Sequence, residues 1–480
     1  MLAGHDTRKG KSMPQPWTDS PWLLVKRADL AIERQQAAQE GRDLASVEAE
    51  FKRLARRDLD RNLAAWPRVQ TLLETVQGLP TRRDYPWREP SDLAGIRKAR
   101  PTRRPSVRPP RLSAAAFHDR MYGAWLGRCC GCLAGKPVEG RRRRSMERIL
   151  KAQGRWPLAH YWSMKVGAKV AKEENWFARH GRKPAPGTVI EGIRCMPEDD
   201  DTNYTATGYA ILERYGADFT PADVAGFWLG NVPIGHVCTA ERVAYRNLVM
   251  LYPPPGPGGK VAGRFSSATW CNPYREWIGA QIRADFFGYA APGDPQRAAE
   301  WAWRDACISH TRNGIYGEMW VAAMLAAAWT TDDLAAIIRA GLGQIPARSR
   351  LAAEIEKVLG WKAQGWTFEQ AIDQVHADWD EADPHHWCHA ISNAAIVAVG
   401  LLWGDLDFEK SVCRAVTCAF DTDCNGATVG SIVGLVLGAK RMPKKWTRPI
   451  RDTLQTGIHG LHEIRLADMA KKSCDLVARL

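Results

Sequence analysis

Hydrophobic residues recur at helical spacing along most of this chain of 480 residues. One predicted helix shows the spacing well, because four of its apolar residues fall on one face: Val69, Leu72, Leu73 and Val76. Gly78 follows them and ends that helix. Helical spacing returns from Met319 to the C-terminus, and no segment shows the sustained alternation that is typical of strands. The pattern therefore predicts an all-α protein, a compact globule of many helices with a helical N-terminal extension.

Two apolar segments carry a glycine at every fourth position. These glycines are Gly123, Gly127, Gly131 and Gly135 in the first segment, and Gly426, Gly430, Gly434 and Gly438 in the second. Residues four apart share one face of a helix, so each predicted helix has a face without side chains. Another helix, or the phosphate of a ligand, could approach such a face closely. We expect both helices to pack near the same centre.

Carboxylates stand at the start of two predicted helices. Residues 198–201 are Glu-Asp-Asp-Asp and precede a helical run, while Asp421 and Asp423 precede the second glycine-bearing helix. A helix N-terminus offsets such charge by about 0.3–1 kcal/mol per charge, and a carboxylate there can cap backbone N–H groups. A divalent cation is the other explanation, because Mg²⁺, Mn²⁺ and Ca²⁺ bind carboxylate oxygens. For the run at 198–201 both explanations stay open.

Four motifs, in order, resemble those of the ADP-ribosylglycohydrolase family over roughly residues 120–440. They are the glycine helix that leads to Gly135, Pro137 and Glu139, the run Asp200-Asp201-Thr202, the segment from His310 to Gly317, and Asp421-Thr422-Asp423-Cys424-Asn425. One such motif would be a weak signal. Four of them in the family's order, on two helices with glycine faces, make the resemblance specific.

The resemblance implies an all-α hydrolase that uses two divalent cations, Mg²⁺ or Mn²⁺, to activate water. Its substrate would be the glycosidic bond of an ADP-ribosylated protein side chain, or of a related ADP-ribosyl or ribosyl compound. The implied residues are Glu139 and Asp200 for catalysis; Asp199, Asp200, Asp201, Asp421 and Asp423 for the metals; and His310, Asn313, Gly314, Tyr316 and Gly426 for the substrate. The alternative is a non-catalytic descendant of the fold that binds ADP-ribose or a nucleotide.

Three residues depart from the family's motifs. Asp199 stands where the family usually has a ligating threonine, and Cys424 stands at another Ser/Thr ligand position. Cys132 replaces the aspartate of the first motif. A thiol is a poor ligand for Mg²⁺, so the second cation position could be weaker or differently filled. Because of these departures, the motifs do not identify the natural substrate.

The net charge of +14 comes largely from two basic runs, Arg97–Arg111 and Arg141–Arg144. The first run alternates with prolines, which is typical of an extended, solvated linker. Binding of nucleic acid by this linker is a separate hypothesis, but the nearly neutral remainder of the chain argues against nucleic acid as the partner. We predict three parts: a helical extension over residues 1–95, a basic linker over 96–115 and a catalytic domain over 116–480.

The sequence also predicts the cellular setting. The N-terminal residues lack the pattern of a secretion signal, and no apolar run reaches the roughly 20 residues of a membrane span. Twelve cysteines over this length do not have the spacing of a disulfide framework. We therefore expect a cytoplasmic protein that does not bind membranes.

Overall fold

The protein is all-α, as predicted. The computed structural model describes residues 26–59, 63–176, 186–251, 260–261 and 265–480. Within these ranges the chain forms α-helices, short 3₁₀ turns and two small antiparallel strand pairs. None of the described helices has the combined length and apolar character that a membrane crossing needs.

The chain divides into two compact units. The first takes in the chain up to Tyr85 together with Trp270–Pro273, and the second comprises Pro86–Thr269 and Tyr274–Leu480. Residues 1–25 of the predicted extension lie outside the described ranges. The helices of the first unit are α1 (Arg27–Gln39), α2 (Glu48–Ala55) and α3 (Trp66–Gly78). The four apolar residues of the predicted face on α3 are all buried, which confirms that helix.

The second unit contains the other helices. Its first half has α4 (Leu93–Ala99), α5 (Ala114–Gly135), α6 (Arg143–Ala152), α7 (Ala168–Glu173), α8 (Asp200–Tyr215), α9 (Pro221–Asn231), α10 (Thr239–Met250), α11 (Asp285–Tyr289) and α12 (Pro295–Ala306). Its second half has α13 (Arg312–Ala328), α14 (Leu334–Leu342), α15 (Arg350–Ala363), α16 (Phe368–Asp378), α17 (Pro384–Trp387), α18 (Ala390–Leu402), α19 (Phe408–Thr417), α20 (Thr422–Leu437), α21 (Lys444–Thr447) and α22 (Leu466–Val477). The strand pairs are β1 (Lys260–Val261) with β2 (Phe265–Ser266), and β3 (Thr453–Gln455) with β4 (Glu463–Arg465).

Helices α5 and α20 cross through their glycine faces and run antiparallel. A Cβ atom built on Gly127 would overlap the carbonyl oxygen of Gly430, and one built on Gly131 would overlap that of Gly426. The reverse also holds, since a Cβ on Gly430 would overlap the Gly127 carbonyl. Only glycine allows two helix backbones to approach so closely. The prediction that both helices pack at one centre is confirmed.

The same contact corrects a second expectation, that the glycine faces offer bare backbone to a phosphate. From Gly123 to Gly135 on α5, each glycine of the face has α20 backbone where its Cβ would lie. Gly426, predicted to bind substrate, has the carbonyl oxygen of Gly131 there. The backbone of each helix therefore occupies the Cβ positions along the glycine face of the other.

A short segment, residues 86–92, packs against α13 and α15 within the second unit. Glu89 is buried, and its Oε2 accepts from Arg350 Nη2 at 2.9 Å. Glu89 Oε1 accepts from the Asn313 side-chain amide at 2.8 Å, and the Tyr316 hydroxyl donates to the Pro90 carbonyl. Residues 93–99 then form helix α4, and residues 100–113, most of them exposed, have no helix or strand.

Candidate metal centre

Asp199 starts helix α8 and is held on both carboxylate oxygens. Its Oδ1 accepts from the Asp201 backbone N–H at 3.0 Å, which makes it the N-cap of the helix. Its Oδ2 is ion-paired with the Lys136 ammonium. Burial acts to raise the pKa of Asp199, but Lys136 and the Asp201 N–H hold that pKa below its ordinary value. The protein itself therefore supplies partners for a carboxylate that was predicted to bind metal.

Asp201 is fixed by Arg128, which is fully buried in α5. Arg128 Nη2 donates to Asp201 Oδ1 at 2.9 Å and to the Asp201 carbonyl at 3.0 Å, and its Nη1 lies 3.2 Å from Asp285 Oδ2. The sequence analysis missed Arg128. Its position between Gly127 and Cys129 in an apolar helix was a usable signal, because a buried cation needs anionic partners. Asp201 Oδ2 is also buried, and no hydrogen-bond partner for it exists among the described residues.

A tight turn places Asp421 at the start of α20. Ala419 and Phe420 adopt left-handed backbone angles, with φ of +67° and +58°, at a cost of order 1–3 kcal/mol each for residues other than glycine. Asn393 offsets part of that cost, because its Oδ1 accepts from the Asp421 N–H at 3.1 Å and from the Asn425 side chain at 2.8 Å. The turn thereby fixes the carboxylate at the mouth of the helix.

Three groups of side chains bring their potential ligand atoms within 4.8 Å of one another. The groups are Cys132, Asp199 and Asp201; Asp201, Asp423 and Cys424; and Glu139, Asp421 and Asp423. Asp423 belongs to two of the groups, and so does Asp201. The segments at 199–201 and 421–424, more than two hundred residues apart, therefore meet at the mouths of α8 and α20, with Glu139 beside them.

The remaining predicted ligand, Asp200, is in none of these three groups. The charges of two members of these groups nevertheless affect the pKa of its carboxyl group. Burial, followed by the charges of Asp199 and Asp423, raises the pKa of Asp200 well above its ordinary value. Glu139 was predicted to be catalytic, but its carboxylate lies among the potential ligand atoms.

The donor chemistry of the site fits a divalent cation. Burial and neighbouring carboxylates raise the pKa of Asp201 and of Asp421 well above the ordinary range, because close carboxylates repel one another. A cation would remove that repulsion, and the unpartnered Oδ2 of Asp201 offers it a buried oxygen. Carboxylate oxygens suit Mg²⁺ and Mn²⁺, whereas the Cys424 thiol suits softer metals.

His310 lies in a separate buried cluster centred on Arg283. The guanidinium contacts Glu241 Oε1 at 2.6 Å and Asp305 Oδ2 at 2.8 Å. His310 Nε2 lies 3.8 Å from Glu241 Oε1, and its Nδ1 is 2.8 Å from the Ser309 hydroxyl. Burial and the Arg283 charge lower the pKa of His310 well below its ordinary value, so the ring is neutral.

The other predicted substrate residues make contacts to protein groups. Asn313 donates to Glu89 and to Glu276, each at 2.8 Å, and its Oδ1 accepts from the Leu351 N–H at 3.0 Å. A Cβ on Gly314 would lie 2.7 Å from the Arg275 carbonyl. The substrate role of His310, Asn313, Gly314, Tyr316 and Gly426 stays a prediction.

The helical fold, with an acidic centre at the mouths of α8 and α20, defines a class of protein. Residues 113–476 match the model of the ADP-ribosylglycohydrolase family, and the chain belongs to that family. A solved structure described as an "ADP-ribosylglycohydrolase-related protein complex" is similar at 18% identity and a TM-score of 0.42, over 76% of this chain and 99% of that one. A search of curated proteins found no match.

Proposed function

We propose that this chain is a metal-dependent hydrolase of the glycosidic bond in ADP-ribosylated protein side chains or in a related small ADP-ribosyl compound. Membership of the family supports the reaction class. The observation that carries the proposal is that two groups of ligand atoms share the carboxylate of Asp423. Neighbouring cation positions joined by a common carboxylate are suited to holding two metals.

Asp201 and Asp423 would hold one cation, and Glu139, Asp421 and Asp423 would hold the second. A pair of bound cations would supply polarisation of substrate oxygens and activation of the attacking water. Arg128 keeps Asp201 in place through Oδ1 and leaves Oδ2 for the cation. The glycine crossing holds the end of α5, which Glu139 follows, beside the start of α20, where Asp421 and Asp423 lie.

Asp200 is the residue that we propose as proton acceptor. Its carboxyl is outside the three ligand groups, and the residue as a whole is only partly buried. Burial and the charges of Asp199 and Asp423 raise its pKa, and a carboxylate with a raised pKa is a stronger base than an ordinary one. Glu139, the other candidate, would be bound to a cation.

The cellular setting stays a proposal. Each of the twelve cysteines is a free thiol, which suits a reducing compartment such as the cytoplasm. ADP-ribosylated proteins or small ADP-ribosyl compounds are the proposed partners, with nucleic acid and membranes excluded from the proposal.

Release of free ADP-ribose tests the function directly. The full chain is incubated with ADP-ribosylated arginine, ADP-ribosylated serine peptides and small ADP-ribosyl glycosides, in Mg²⁺, in Mn²⁺ or in chelator. We expect release with metal and none with chelator. Asp423→Asn should abolish release, because it removes the shared carboxylate. Asp333→Asn is the matched control, since Asp333 is also a helix N-cap but is not in any ligand group.

The non-catalytic alternative gives a different outcome in the same samples. A binding protein would be stabilised by free ADP-ribose without releasing any from the conjugates. Equal release by the parent and by Asp423→Asn would contradict the proposed metal centre, even if hydrolysis itself were observed.

A further inference from the structure

Two of the three ligand groups contain a cysteine, and both include Asp201. One group adds Cys132 and Asp199, and the other adds Asp423 and Cys424. They differ in one respect that decides their chemistry. The Lys136 ammonium is ion-paired with Asp199, so a cation bound at Cys132 would lie next to a fixed positive charge. Arg128 is ion-paired with Asp201, which both groups contain, so the Lys136 ion pair is the difference between them.

Asp201, which both groups contain, has one carboxylate oxygen without a hydrogen-bond partner among the described residues. Asp201 is fully buried, and its Oδ2 accepts no hydrogen bond from any described residue. A buried carboxylate oxygen without a partner is costly, so the oxygen marks a place where a cation would be stabilised. Asp423 and Cys424 are only slightly exposed, at 4% and 7%, so the position is largely shielded from solvent.

We propose that Asp201, Asp423 and Cys424 form a mixed thiolate–carboxylate site for a thiophilic divalent cation such as Zn²⁺ or Co²⁺. This rests on the proposed function, because it assigns the type of cation at one of the two positions named there. On binding, the Cys424 thiol loses its proton to solvent and the sulfur becomes a metal ligand. The position formed by Glu139, Asp421 and Asp423 has only oxygen donors and keeps Mg²⁺ or Mn²⁺.

The ligand atoms of this site explain why it would bind Zn²⁺ or Co²⁺ in preference to Mg²⁺. Thiolate sulfur is a soft ligand that Mg²⁺ binds poorly, while Zn²⁺ and Co²⁺ accept sulfur and carboxylate oxygen together. Two carboxylates and one thiolate would leave an open coordination position, as catalytic zinc sites do. A single chain would thus hold a soft and a hard cation on the two sides of Asp423.

Cobalt provides the test, because Co²⁺ bound to a thiolate has a charge-transfer band in the near ultraviolet. Metal-free full-length chain is titrated with CoCl₂, with MgCl₂ present throughout to fill the oxygen-only position. We expect the band to appear and to saturate at a single equivalent of Co²⁺. Zn²⁺ should abolish the band by displacing Co²⁺, and further Mg²⁺ should not.

Variants of the two cysteines show which sulfur atom binds the Co²⁺ ion. Cys424→Ser should remove the band and weaken Zn²⁺ binding by roughly tenfold or more, since even partners of metal ligands contribute that much. Cys132→Ser is the matched control and should keep both the band and the Zn²⁺ affinity. If Cys424→Ser does not fold, Cys424→Thr serves in its place, because threonine fits a Ser/Thr position of the family's motif.

Three results would overturn the inference: no band in the parent, a band that survives in the Cys424 variant, or a band lost in Cys132→Ser. None of these depends on hydrolysis. Release of ADP-ribose with Mg²⁺ but without a cobalt band would leave the proposed function standing and remove only the soft-metal site. A cobalt band without any hydrolysis would leave the soft-metal site standing and remove the proposed function.

Discussion

Asp423 belongs to both ligand groups that we propose to bind cations, so its removal should affect metal binding most. Two like charges about 4 Å apart repel by roughly 4 kcal/mol at an effective dielectric constant of 20, and bound cations offset this repulsion. We expect Mg²⁺ or Mn²⁺ at a hundred times its Kd to stabilise the folded chain by about 2.7 kcal/mol. Asp423→Ala should lose most of that gain in thermal unfolding with and without metal.

The metal-free proteins give a second readout of the same repulsion. Without metal, Asp423→Ala should unfold at or above the parent's temperature, because one repelling charge has gone. Asp407→Asn, at the N-cap of α19, is the control and should keep the parent's response to metal. A parent that melts at the same temperature with metal and with chelator would rule out the centre.

Glu241 should make stability depend on pH. Burial, together with the Asp305 charge, raises the pKa of Glu241 to about 7 despite its ion pair with Arg283. The ordinary pKa is about 4.3, so between these values the folded chain holds more protons than the unfolded chain. The stabilising contribution is therefore complete at low pH and is lost as pH rises through 7. Urea unfolding at pH 5 and pH 8 should show this loss.

Glu241→Gln should remove that fall in the free energy of unfolding. Arg283 keeps Asp305 at 2.8 Å and Glu318 at 3.5 Å, so the guanidinium is still compensated in the variant. Glu369→Gln, at an exposed residue of α16, should retain the parent's pH dependence. Equal losses in the parent and in Glu241→Gln would show that another group is responsible.

At the scale of helices, the crossing of α5 and α20 makes opposite predictions for two glycines. Gly127→Ala would force a Cβ into the Gly430 carbonyl, where the backbone cannot move away cheaply, so we expect a loss of about 3 kcal/mol or more. Gly226 lies inside α9 with no atom within 4 Å of its Cβ position, and Gly226→Ala should gain up to about 1 kcal/mol. Urea unfolding measures both, and equal effects would contradict the close crossing.

These helices also show what could be predicted from the sequence. Glycines at every fourth position were enough to predict that α5 and α20 meet, because the spacing is local and its physical meaning is direct. The partners of Arg128 and Lys136 were not predictable, since they lie 73 and 63 residues away and depend on how the helices pack. The motif alone therefore could not reveal the ion pair between Lys136 and Asp199.

At the scale of the whole chain, the compact units do not divide where composition changes. The basic residues and prolines suggested a linker over residues 96–115, with the catalytic part starting at 116. The compact second unit begins at Pro86, and the start of the catalytic part at residue 116 stays a prediction. Glu89 is one of few acids in a basic, proline-containing stretch, so its burial against Arg350 had no signal in composition.

Shortened chains test where the catalytic part begins. A chain of residues 86–480 should keep the metal-dependent stabilisation of the full chain, because it contains the whole second unit with the metal centre. A chain of residues 113–480 keeps Ser113, the N-cap of α5, but leaves Asn313 and Tyr316 without partners that residues 86–92 supply. Loss of hydrogen bonds that involve charged groups costs about 1.5–3 kcal/mol each, so the shorter chain should be clearly less stable in urea.

Glu89→Gln in the full chain tests the contact between Glu89 and Arg350 without shortening the chain. The variant keeps the shape of the side chain but removes the charge that faces Arg350, and we expect a loss of about 1.5–3 kcal/mol. The loss should not be larger, because Arg350 retains Glu276 Oε2 at 2.7 Å. If the 113–480 chain is as stable as the 86–480 chain and Glu89→Gln has no effect, residues 86–92 add no stability, and the catalytic part begins near residue 116, as composition suggested.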